Sequence, residues 1–121
     1  LLIQQDSEMT VFNIPQFSGV PGFSTVNCHD NASNGIIVRN GSTLRVSNQA
    51  QVISTANGAS GLIADDGAGV ILVNSTITGN SAKDIQLAFG SRADLQTLIV
   101  GTAACDATVL VRGTSGIACP R

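Results

Sequence analysis

The stretch Ile36-Ile37-Val38-Arg39-Asn40-Gly41-Ser42-Thr43-Leu44-Arg45-Val46 decides the fold. Apolar residues stand two apart at Ile36 and Val38, and again at Leu44 and Val46, with Gly41 between the pairs. A period of two marks strands, and glycine tolerates the positive φ of a tight corner, so two short strands meet at a bend. The same frame recurs without gaps at Leu1–Val11, Leu62–Leu72 and Ile85–Leu95, at offsets of 35, 26 and 23 residues. Four apolar columns result: Leu1/Ile36/Leu62/Ile85, Ile3/Val38/Ala64/Leu87, Met9/Leu44/Val70/Ala93 and Val11/Val46/Leu72/Leu95. The corner column reads Asp6/Gly41/Gly67/Gly90, followed by Ser7/Ser42/Ala68/Ser91.

A further column, Asn31, Asn57 and Asn80, lies five residues before each following unit. Stacked asparagines can bond their amides from unit to unit, which predicts an internal Asn ladder. Three residues ahead of each Asn come Cys28, Ser54 and Ile77, the inward positions of a third strand, and Gly35, Gly61 and Asp84 fill the turn into the next unit. A repeat of this length with three strands closes into one coil of a parallel solenoid, its strands about 4.8 Å from those of the neighbouring coils. Between Val11 and Asn31 there is excess length, with Pro15 and Pro21 excluding a central strand. Phe17 and Phe23 sit in that loop, as a lid or a contact patch. Past Val100 the pattern fails, and Ala103 stands where a fourth Asn is due. Residues 101–121 are therefore expected to form a C-terminal cap. Cys105 and Cys119 flank its apolar run Val109-Leu110-Val111 and suit a disulfide worth about 3 kcal/mol in an oxidising compartment. Cys28 is expected as a buried free thiol.

The stretches Asn34–Ser42 and Asn74-Ser75-Thr76-Ile77-Thr78-Gly79-Asn80 resemble the repeats of right-handed parallel β-helix proteins of the pectin-lyase-like superfamily. The resemblance implies an all-β, right-handed, single-stranded parallel β-helix of about four coils, starting near residues 1, 36, 62 and 85. It would form one domain over 1–121, and the opening inside a strand reads as a piece of a longer precursor. A left-handed hexapeptide helix is set aside because no six-residue period is present.

Composition narrows the function. The 121 residues are 43% apolar and only 12% charged, with a net charge of −2. Such a chain is neither disordered nor a basic nucleic-acid binder, and no apolar run approaches the ~18 residues of a membrane span. Within the superfamily, polygalacturonase-like members use paired aspartates with a third Asp, a Gly-His-Gly segment and an Arg-x-Lys. Asp65-Asp66 supplies only the pair, because His29 and Lys83 lie in neither motif. Arg39 and Asp65 share an outward column on consecutive units, which predicts a surface ion pair. A lyase base beside a calcium-holding carboxylate cluster is not visible, and His29 as the only His leaves no zinc ligand set. No metal or cofactor is expected. Threonines 43, 76, 78 and 97 form no regular outward column of the kind an ice-binding face needs. Asn31, Asn40 and Asn74 head Asn-x-Ser/Thr triplets, with Asn31 expected to be inaccessible inside the ladder. The reading that results is a secreted or cell-surface structural or interaction module. Its N-terminal face, with Leu1, Ile3, Met9 and Val11 in core columns, calls for self-association or upstream coils. The alternative is a fragment or relative of a polysaccharide-acting lyase, hydrolase or epimerase.

Overall fold

The computed structural model describes residues 1–12, 24–47, 49–113 and 117. Among these the chain is all-β, with no helix, and its strands, numbered in chain order, form three sheets. The first sheet holds β1 (Leu2–Ile3), β4 (Ile36–Val38), β7 (Leu62–Ala64), β10 (Ile85–Leu87) and β13 (Ala103–Cys105). The second holds β2 (Glu8–Val11), β5 (Thr43–Val46), β8 (Gly69–Val73), β11 (Arg92–Gln96) and β14 (Leu110–Gly113). The third holds β3 (Ser24–His29), β6 (Ala50–Thr55), β9 (Thr76–Thr78) and β12 (Ile99–Val100). Each sheet takes every third strand, all pairs are parallel, and every strand lies beside its counterpart one repeat earlier or later. This all-strand, parallel arrangement is compatible with a parallel β-helix.

The columns read from sequence are spatial neighbours. Ile3, Val38, Ala64 and Leu87 are successive register partners, as are Met9, Leu44, Val70 and Ala93. Cys28, Ser54, Ile77 and Val100 form the equivalent line in the third sheet. From Ile36 to Leu95 the four apolar columns of the first two sheets are at most 4% exposed. Burying each Leu, Ile or Val side chain stabilises by about 1.5–3 kcal/mol, so these stacks supply the main favourable term. The first repeat departs from the expected burial: Leu1 is 43% exposed, and Met9 and Cys28 are half-buried. Among the described residues their columns have no strand on the outer side.

The corners are built from two successive left-handed residues. The pairs Gln5–Asp6, Asn40–Gly41, Asp66–Gly67 and Phe89–Gly90 all have positive φ, from 50° at Phe89 to 74° at Gly67. Glycine at the second position avoids the Cβ clash of that conformation. Each corner is tied to the next by a backbone bond, Gly41 N–H to the Asp66 carbonyl at 2.9 Å and Gly67 N–H to the Phe89 carbonyl at 2.9 Å.

One expectation is corrected. Residues beyond Val100 do not all leave the repeat for a cap, since β13 and β14 add a fifth strand to the first two sheets. Ala103 is the register partner of Ile85, an 18-residue step where earlier ones were 23 or more. The shortening removes the glycine corner, which is why the pattern was lost. Asp106 and Thr108 replace it, with Phe89 N–H donating to Asp106 Oδ2 at 2.8 Å and Gly90 N–H to Thr108 Oγ1 at 2.7 Å. Cys119 lies outside the described residues, as do Phe17 and Phe23.

The stacks make two substitutions diagnostic. Val38→Asp would bury an unpaired charge at a fully buried site and should cost several kcal/mol in denaturant unfolding. Gly35→Ala should cost more than 1 kcal/mol, because its Cβ would lie 2.2 Å from Ser54 Oγ and 2.8 Å from the Gly61 carbonyl oxygen.

Candidate functional site

Asn31, Asn57 and Asn80 come together in a ladder with a direction. Asn31 donates its backbone N–H (3.2 Å) and Nδ2 (2.7 Å) to Asn57 Oδ1. Asn57 repeats both bonds onto Asn80 Oδ1, at 3.1 and 2.8 Å. Because a backbone N–H can only donate, the atom it meets must be the carbonyl oxygen, and this settles the orientation of each carboxamide. The same Nδ2 groups also reach back to the previous repeat, from Asn57 to the Cys28 carbonyl and from Asn80 to the Ser54 carbonyl, both at 3.1 Å. One side chain thus joins three repeats. Glycine at 35 and 61 makes room, since a Cβ at Gly35 would lie 2.6 Å from Asn57 Nδ2 and one at Gly61 2.4 Å from Asn80 Nδ2.

The ladder ends on Asp84, a role the sequence reading missed. Asp84 Oδ1 accepts the N–H and Nδ2 of Asn80 at 3.0 and 2.8 Å, the two bonds a fourth asparagine would take. Its Oδ2 accepts the Thr102 N–H at 2.7 Å and the Thr102 hydroxyl at 3.2 Å. The signal was present: an acid interrupts the Gly35/Gly61 column in the repeat before the missing Asn. Asp84 is 3% exposed. Burial pushes its carboxyl up, but the hydrogen bonds from Asn80 and Thr102 outweigh this and hold it below the usual 3.8. At half-buried Asp106, the Thr108 hydroxyl and then the Phe89 and Thr108 N–H groups likewise hold the carboxyl low. Both ladders therefore close on an Asp–Thr pair at the same end.

The other end stays open. Asn31 is exposed, against the expectation that the ladder would hide it, because among the described residues no strand lies on its outer side. No group among the described residues donates to its Oδ1. Beside it run β1, β2 and β3, each paired with a strand on one side only among the described residues. Ser24 N–H and Asp30 N–H donate toward β6, so by the alternation of a parallel ladder Thr25, Asn27 and His29 turn their backbone groups to the open side.

The acidic pair is not a cluster. Asp65 Oδ2 lies 3.3 Å from Arg39 Nη2, the expected ion pair, whereas Asp66 sits at an exposed left-handed corner. Arg39 Nε and Asp65 Oδ1 have no hydrogen-bond partner, so the contact is a single bond rather than a fork. His29 Nδ1 lies 2.8 Å from Asp30 Oδ2 at the surface. Among the described residues no three of His, Cys, Asp and Glu converge. Cys28 is a free thiol.

The outer face of the second sheet carries a shallow groove of about 370 Å³, lined by Thr43, Arg45, Gly69, Arg92, Asp94 and Arg112 among others. Its low floor is at Gly69, in register between Thr43 and Arg92. Arg45 approaches Glu8 only to 3.9 Å, and among the described residues Arg92 and Arg112 have no ion-pair partner.

Asp84 gives the acid behaviour a sign. Its folded value is depressed, so its stabilisation is present in full above the ordinary carboxyl range and is lost as pH falls through the folded value. Asp84→Asn would aim an amide at the Thr102 N–H, and should cost roughly 1–3 kcal/mol near neutral pH. The same substitution should flatten the acid limb below about pH 4 when unfolding is followed against pH.

No protein-family model, no curated protein and no solved structure matches this chain, so these surfaces are what bears on its function.

Proposed function

We propose that the chain is a right-handed parallel β-helix of the pectin-lyase-like kind and serves as a secreted or cell-surface structural or interaction module. Its contact surface is the end bounded by β1, β2 and β3. The observation that carries this reading is the asymmetry of the two ends. Asp84 and Thr102 close the amide ladder, and Asp106 and Thr108 close the corner ladder, at one end only. Among the described residues both ends have strand edges, β12, β13 and β14 at the closed end and β1, β2 and β3 at the opposite one. At that opposite end no described group closes the amide ladder over Asn31, and Leu1, Leu2 and Phe12 are 43%, 54% and 55% exposed. Free edges template further strand pairing, and such apolar surface is stabilised when covered. A Cys105–Cys119 disulfide that fastens the C-terminal segment, and the extracellular setting it implies, belong to the same proposal. So does a contact role for Phe17 and Phe23.

One observation favours a second reading, contact with an acidic polysaccharide: the arginine-rimmed groove on the second sheet. Asp94 is the single carboxylate in that lining, however, in register beside Arg112, and Asp65 is engaged with Arg39, so no pair of acids faces the groove. The polymer would be held there without being cut.

Light scattering across a concentration series should show weak association of the chain with itself. Thr25→Pro should abolish it with little change in the unfolding midpoint, because that N–H faces the open side, the β3–β6 backbone bonding is kept, and only the exposed bond from Gln51 Nε2 to Thr25 Oγ1 is lost. A strictly monomeric chain at every concentration would overturn the contact reading. Pectate and alginate, tested with and without calcium, should remain uncut. Chain cleavage lost in Asp65→Ala or Asp66→Ala would make the protein an enzyme.

A further inference from the structure

The proposed contact surface does more than expose edges; its hydrogen-bonding polarity specifies what fits. Every interior rung of the amide ladder makes the same three bonds. The Asn Oδ1 accepts the N–H and Nδ2 of the asparagine before it, and its own Nδ2 donates to a carbonyl three residues ahead of that earlier asparagine. Asn31 sits in this column with its backbone N–H and one of its two Nδ2 hydrogens given to Asn57, at 3.2 and 2.7 Å. Among the described residues its Oδ1 has room for two donors, and it makes no counterpart of the backward bond that Asn57 sends to the Cys28 carbonyl.

We infer that this end is a selective docking surface for a strand-bearing repeat that presents an asparagine over Asn31. This rests on the reading of that end as the contact surface. The partner supplies a backbone N–H and a carboxamide to Asn31 Oδ1, a carbonyl to Asn31 Nδ2, and parallel strands along β1, β2 and β3. A second copy of this chain, stacked end to end, does not meet that requirement. Its opposite end replaces the asparagine with Asp84, whose two oxygens only accept and are already filled by Asn80 and Thr102. Two copies meeting by their open ends would set one Asn31 Oδ1 against the other, acceptor against acceptor. Self-association therefore uses backbone edges alone, whereas an Asn-bearing repeat adds the ladder. The spacing needed is already in the chain. The 26 residues from Ile36 to Gly61, placed before Leu1, would set a copy of Asn57 over Asn31 in the frame that sets Asn31 over Asn57.

The test is the full chain extended by that 26-residue copy, compared with the same extension carrying Asn→Asp or Asn→Ala at the residue copied from position 57. The intact extension should raise the unfolding midpoint by roughly 5–10 °C, as a docked repeat adds a nearest-neighbour interface. It should also protect the Asn31 side-chain amide from solvent exchange. Both substituted extensions should lose most of the rise, with Asn→Asp at least as poor as Asn→Ala because a carboxylate opposes Asn31 Oδ1. Equal gains from all three extensions would show that the end docks repeats without reading the asparagine, which overturns this inference and leaves the contact reading standing. No gain from any extension would overturn both.

Discussion

A primary carboxamide is one of the few side chains that can accept from one neighbour and donate to two others at once, and the repeat is organised around that capacity. Asn57 is fully buried and touches the repeats on both sides, through its Oδ1, its Nδ2 and its backbone N–H. A buried polar group left unpaired costs about 1–3 kcal/mol, so any slip of one repeat against the next would leave several such groups unmet. Apolar stacks favour burial but tolerate exchange of one aliphatic residue for another. The amide ladder tolerates almost none, and it is this that holds the register.

Other constraints follow from it. The carboxamide needs space over the preceding turn, which only glycine at 35 and 61 leaves. Where no later asparagine exists, the glycine is no longer required, and Asp84 fills the space with a carboxylate whose two oxygens satisfy both sides. The corner ladder behaves the same way, passing N–H to carbonyl from repeat to repeat until Asp106 and Thr108 stop it. Repeat length is almost free by comparison. Steps of 35, 26, 23 and 18 residues all bring the first-sheet strands into register, from Leu2↔Ile37 to Ile85↔Ala103. Insertions and deletions fall between strands, where loop closure costs grow only slowly with length.

Much of this architecture is legible in the sequence because burial and positive φ leave few residue choices. The columns through Val38 and Leu44 and the corners at Gly41, Gly67 and Gly90 could be aligned by eye, and the structure pairs them in register. The fifth strands were hidden because Ala103-Ala104-Cys105 is only weakly apolar and the corner before β14 uses side-chain caps in place of glycine. The exposure of Asn31 was misjudged because a column was treated as buried along its whole length, though the outermost member of a stack has one neighbour. The groove at Gly69 has its own reason for escaping notice. Outward positions face water and obey no periodic rule, so Arg45, Arg92 and Arg112 align only once the register is known. Function is written on such unconstrained surfaces, and that is why the fold was easier to read than the role.

The central claim is that a directional amide ladder sets the register, closed at Asp84 and open at Asn31. Solvent exchange of the asparagine side-chain amides, followed residue by residue by nuclear magnetic resonance, tests it most directly. The account predicts slow exchange at Asn57 and Asn80, close to that of the core strands, and markedly faster exchange at Asn31. Rapid exchange at Asn57 and Asn80, indistinguishable from exposed asparagines such as Asn40 and Asn74, would contradict it.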